Sequence, residues 1–112
     1  MKIINTLFIL SIITGSYSLQ AQVVEDTLLV KGVCKMCKER IETAAYIKGV
    51  KFASWNNETD ELSIAYREDK TSREEIQESL LKAGHNVGDT KPTDEAYNSL
   101  PGCCRYDEVD KH

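Results

Sequence analysis

The spacing of hydrophobic positions changes period along this chain, from two to helical and back, twice between residues 23 and 90. In TLLVKGV, residues 27 to 33, Leu28 and Val30 share one face of a β-prone run, which predicts a first strand. From Cys37 onward Ile41, Ala44 and Ala45 recur at helical spacing, with Glu39 and Glu42 near the start and Gly49 as a stop after Lys48. That pattern predicts a first helix. VKFASW and ELSIAYR flank NNETD, whose Asn and Asp residues tolerate turn geometry, and Leu62, Ile64 and Tyr66 alternate along the second run. A hairpin follows. Thr71 and Ser72 each stand three residues before a glutamate, Glu74 and Glu75, so a capping box in either of two registers opens a second helix. Its buried stripe is Ile76, Leu80 and Ala83, and Gly84 closes it. HNVGD can add a short last strand. The order is β-α-β-β-α-β, an α+β domain over residues 22 to 90, without internal repeat or low-complexity segment.

Two segments flank it. Residues 1 to 21 read as a secretory signal peptide: Lys2, the apolar run IINTLFILSII, then small and polar residues. That run is too short for a membrane span, which needs roughly 20 apolar residues, so no stable membrane insertion is expected once the leader is cut. Cleavage after Ala21 fits, although Leu19 is bulkier than the ideal, and no cysteine near the junction suggests a lipid anchor. Beyond Thr90 a polar tail, residues 91 to 112, carries Pro92 and Pro101 as breakers and a short helical turn over DEAYNSL capped by Thr93. It is expected to pack loosely on the domain, with His112 disordered at its end.

Composition narrows the function classes. The chain of 112 residues is 41% hydrophobic and 29% charged, which suits one small globular core. Losing the leader takes one of 14 basic residues, Lys2, leaving 13 against 18 acidic and a net charge of -5. Nucleic acid is therefore not an expected partner. Export, to the periplasm or the exterior, places four cysteines in an oxidising compartment, where an unprotected pair tends to form a disulfide unless metallated or kept reduced.

Cys34 and Cys37 sit where the first strand meets the first helix. Unpaired N–H groups at a helix start favour thiolate, and Lys35, Lys38 and Arg40 add positive charge nearby. Two thiolates three residues apart on a turn can converge on one ion, and thiolate is the soft ligand that selects Cu(I), with Zn(II) and other thiophilic ions competing. A CxxC pair alone also serves disulfide oxidoreductases and zinc knuckles. The first need a larger βαβ framework, and the interior here is Lys35-Met36; the second need two more ligands, for which only Cys103, Cys104, His85 and His112 are available.

The stretch CKMCKERIETAAYIKGVKFASWNNETDELSIAY, followed by IQESLLKAGH, resembles the heavy-metal-associated domain of copper chaperones, copper-pump modules and the periplasmic mercury-binding protein. The agreement lies in the CxxC pair, Ile41-Glu42 after it, Gly49-Val50 before the second strand and Ala83-Gly84 ending the second helix. It implies a ferredoxin-like βαββαβ sandwich that carries Cu(I) or a similar ion, Hg(II) or Zn(II) among them, between two cysteine sulfurs on an exposed loop. Transfer then proceeds by stepwise ligand exchange with a partner's thiolates, a metal-transporting pump or another exported metalloprotein. The resemblance departs at three places. Lys31-Gly32-Val33 replaces the family's Gly-Met-x, so the buried methionine under the loop is missing, and Met36 either compensates or faces solvent. His85 replaces an aromatic residue; it is a candidate third ligand, as in some chaperones of the family, or a half-exposed occupant of the aromatic site. Finally, the chain continues to a vicinal pair, Cys103-Cys104, for which metal co-ligation, a bridge to Cys34 or Cys37 and an intermolecular link all stay open.

The expected function is that of an exported soft-metal carrier or buffer, most simply for Cu(I), with Cys34 and Cys37 as ligands. The alternatives are mercury or zinc on the same site and a thiol-disulfide redox protein. No serine, histidine and acid constellation, phosphate loop or carboxylate pair points to catalysis.

Overall fold

A computed structural model describes residues 22–112, so the expected leader lies outside the described residues. Three strands, β1 (Val23–Leu29), β2 (Val50–Trp55) and β3 (Glu61–Arg67), form an antiparallel sheet in the order β1-β3-β2. Register follows the hydrophobic alternation: Leu28 opposes Leu62, Asp26 opposes Ile64, and on the other side of β3 Trp55 opposes Leu62 and Ala53 opposes Ile64. A one-residue slip would turn Leu62, Ile64 and Tyr66 toward solvent, so burial of one face holds the pairing.

Two helices cover that face. In α1 (Lys35–Ala45) the buried positions are Cys37, Ile41 and Ala45, four residues apart, which makes Cys37 the first rung of the core-facing stripe. The helix ends at Ala45, earlier than Gly49; that glycine instead takes φ +101° in the turn that delivers β2. In α2 (Arg73–Lys82) Ile76 and Leu80 are buried, and of the two possible caps it is Ser72 whose hydroxyl accepts from the Glu75 N–H at 3.1 Å. The Glu75 carboxylate accepts from the Thr71 hydroxyl at 2.7 Å rather than reaching back to the Ser72 backbone. This is the ferredoxin-like α+β arrangement.

Its last strand is reduced to a single bridge between Val30 and Val87. Backbone bonds run both ways around the bridge, Lys31 N–H to the Asn86 carbonyl at 3.0 Å and Gly88 N–H to the Leu29 carbonyl at 2.8 Å. Extension stops there because Val87 and Thr90 bond each other reciprocally, at 3.0 and 2.9 Å, closing a turn through Gly88-Asp89 in which Gly88 takes φ +56°.

The tail corrects the expectation of loose packing. It forms α3 (Asp94–Asn98), capped by the Thr93 hydroxyl, and a 3-10 turn, η1 (Gly102–Cys104). Leu100 and Cys104 join the hydrophobic core. Tyr106 donates to the Gly84 carbonyl at 2.9 Å and meets Tyr97 edge-on at 5.0 Å. Gly84 permits the approach, since a Cβ there would stand 2.6 Å from the Ala96 carbonyl oxygen. At the end of the chain the His112 N–H bonds the Val33 carbonyl at 3.3 Å, and the Lys111 ammonium donates to the Gly32 carbonyl at 3.2 Å, pairs with Asp60 and lies 5.3 Å over the Trp55 ring. His112 is thus fixed by its backbone, where disorder was expected.

Candidate metal centre

The metal-loop geometry begins with Gly32. A Cβ at this position would lie 2.8 Å from the Trp55 ring and 2.9 Å from the Ile41 side chain, so only glycine lets the loop settle onto the core. Trp55 holds the same corner from below, donating its indole N–H to the Val30 carbonyl at 2.8 Å. Val33, immediately before the first cysteine, is buried in the core. Cys34 then caps α1 in extended conformation, and Cys37 projects from the first helical turn into the core.

From the opposite side η1 delivers Cys104. The sulfurs of Cys34, Cys37 and Cys104 all lie within 4.8 Å of one another. Cys37 and Cys104 are joined as a disulfide with their Cα atoms 5.7 Å apart, inside the ordinary range for such a bond. Cys34 is free, its Sγ 3.9 Å from that of Cys37. Three sulfurs each about 2.3 Å from one ion would stand about 4 Å apart at the corners of a triangle. The spacing of Cys34 and Cys37 matches an edge of that triangle, so once the disulfide is reduced the group could hold a thiophilic ion in a three-sulfur site. Positive charge comes from the N–H groups of the first turn of α1. Lys38 contributes little, because its ammonium is engaged by the Glu42 carboxylate and by the Trp55 carbonyl at 3.0 Å.

The adjacent tail cysteines diverge. Cys104 is fully buried, whereas Cys103 is partly exposed and its Sγ lies 3.5 Å from the Met36 Sδ. The Cys103 carbonyl faces the Cys34 thiol at 3.9 Å. Met36 is half exposed and sits against the tail instead of supporting the loop from inside.

His85 stands outside the sulfur group. It is fully buried, Nδ1–H donating to the Lys31 carbonyl at 2.8 Å, and its ring stacks on Tyr106 at 6.1 Å. Its Nε2 has no hydrogen-bond partner among the described residues. Burial, with the Arg40 charge as a minor cause, holds its pKa below the ordinary value, so the ring is neutral near pH 7. Sequence reasoning did not single out Gly32 or Lys111 as parts of this corner. A glycine two residues before a cysteine was a usable signal for the first; nothing in the periodicity announced the second.

No family model and no curated protein matches the chain. Solved structures do. A CopZ metallochaperone is 28% identical, with a TM-score of 0.56, over 58% of this chain and 100% of its own. A copper form of a CopA variant from Bacillus subtilis is 30% identical, with a TM-score of 0.51, over 60% of this chain and 91% of its own. Oxidised MerP from Ralstonia metallidurans CH34, at 23% identity and a TM-score of 0.56 over 60% of this chain and 96% of its own, shares the fold. Ferredoxin-like topology, a cysteine pair at the β1–α1 corner and these relatives agree: the chain belongs to the heavy-metal-associated domain family.

Proposed function

We propose that this protein is an exported carrier or buffer of Cu(I), which it holds in the reduced state between Cys34, Cys37 and Cys104. The observation that carries the reading is the convergence of three sulfurs within 4.8 Å from two distant parts of the chain. A soft, electron-rich donor set of this kind favours a soft monovalent ion, and the two relatives at 28% and 30% identity are a metallochaperone and a copper-loaded protein. Export rests on the apolar leader of residues 1 to 21. In an oxidising compartment the Cys37–Cys104 bond is the resting form, and a dithiol reductant must supply two electrons and two protons before an ion can bind. The recipient of the ion is a metal-transporting pump or another exported metalloprotein.

The test is Cu(I) competition on anaerobically reduced protein, with Hg(II) and Zn(II) as rival ions. Cys34→Ala/Cys37→Ala is expected to lose affinity by more than roughly 100-fold, beyond what changes around a metal site usually cost. Unchanged affinity in that variant would overturn the assignment, and tighter, preferential retention of Hg(II) or Zn(II) would change the cargo.

A further inference from the structure

The three inner sulfurs are poorly placed to meet a partner. Cys34 is 8% exposed and Cys37 and Cys104 are 0% exposed, because the tail closes over the loop. Ligand exchange requires an incoming sulfur to touch the ion, so a covered site needs sulfur ligands nearer solvent. Two are present at the right place. Met36 is 49% exposed and its Sδ lies 3.5 Å from the Sγ of the partly exposed Cys103. Both are tied to the inner group by the chain itself. Met36 immediately precedes Cys37 in α1, Cys103 immediately precedes Cys104 in η1, and the Cys103 carbonyl reaches the Cys34 thiol at 3.9 Å.

We propose that Met36 and Cys103 form an outer two-sulfur site for a monovalent thiophilic ion, through which cargo enters and leaves the inner three-sulfur group. The inference rests on the carrier reading above and adds its route. A thioether is a neutral, weaker ligand than a thiolate, so the outer pair binds less tightly than the inner group and releases the ion inward. On entry the bond between the ion and the donor's thiolate breaks as the Cys103 thiolate bonds to it, with Met36 as second ligand. Cys34 then displaces Met36, and Cys37 and Cys104 displace Cys103. Copper stays in the +1 state throughout and no electron moves; each thiol that becomes a ligand gives its proton to water or to the departing thiolate. Export reverses the order.

The experiment uses the reduced mature chain under anaerobic conditions, with Cu(I) presented as a chromophoric chelate whose loss of colour is followed by stopped flow. Met36→Leu keeps the side-chain volume and Cys103→Ser keeps a small polar group, and far-UV circular dichroism confirms that both fold. Each is expected to slow uptake roughly tenfold, a barrier change of about 1.4 kcal/mol, while the equilibrium affinity of the inner ion stays at the parent value. The double variant should be no slower than either single one, since one site is lost once. Parent uptake rates in both variants would overturn the outer site and leave the carrier reading standing. Parallel losses of rate and affinity would overturn it too, by placing these sulfurs in the inner group. A parent that takes up no Cu(I) removes the carrier reading itself.

Discussion

His85 shows how one position in a family can change its physics. A phenylalanine there would need no hydrogen bond, whereas the histidine spends Nδ1–H on the Lys31 carbonyl and leaves Nε2 buried without a partner among the described residues. Protonation would place a charge against the Tyr106 ring and within reach of the Arg40 charge, in a fully buried position. Its folded pKa is depressed, so the folded state binds fewer protons here than the unfolded chain. The contribution is therefore whole above about pH 6.5 and is lost as pH falls through the folded value, at up to about 1.4 kcal/mol per pH unit. Urea unfolding at pH 7.5 and pH 5 should show this loss, and His85→Phe should flatten it; an unchanged slope in the variant would place the acid sensitivity elsewhere. Gly32 carries a second residue-scale prediction. Gly32→Ala drives a methyl group into the Trp55 ring and should cost about 1–3 kcal/mol in urea unfolding, even though the loop is short and looks permissive. The cysteine pair at the strand–helix corner was legible from sequence because both helix start and thiol chemistry are local. That Cys103 faces outward and Cys104 inward was not legible, since the 3-10 turn that separates them exists only against the folded domain.

Elements divide in the same way. Periodicity located α1, the hairpin and α2, because each has a face that must be buried and a local stop signal; β1 runs Val23–Leu29 rather than over residues 27 to 33, since Leu28 is its one buried residue and its first half carries no apolar alternation. Sequence allows two capping registers for α2, and packing selects Ser72, leaving Thr71 buried with its hydroxyl on Glu75. Ser72→Ala should therefore destabilise by about 1 kcal/mol, while Thr93→Ala should loosen α3 and the tail by a similar amount; hydrogen exchange would separate local fraying from global loss. The short last strand expected over HNVGD is present only as a bridge, since Gly88 and Asp89 reverse the chain before a second pair can form. Gly and Asp at the turn positions set that limit.

At the scale of the molecule, the tail converts a loop that resemblance describes as exposed into an interior. It contributes Leu100 to the core, a sulfur to the centre and a polar clasp from Tyr106 to His112, none of which follows from a composition that looks like a solvated appendage. Deleting residues 91 to 112 should lower stability by about 2–4 kcal/mol from lost apolar burial alone, in reduced protein where the disulfide plays no part. The truncated chain should bind Cu(I) more weakly and surrender it faster to an external thiol. Equal exchange rates with and without the tail would show that it does not limit access.

Trp55 is the sole tryptophan of the chain, almost wholly enclosed, with the penultimate residue's ammonium resting on its ring. Removing the carboxyl-terminal residues would take that cation from the indole and expose it to water, and its emission should shift to the red. That makes the indole a label-free gauge of whether this end of the chain stays seated, readable in the unmodified protein.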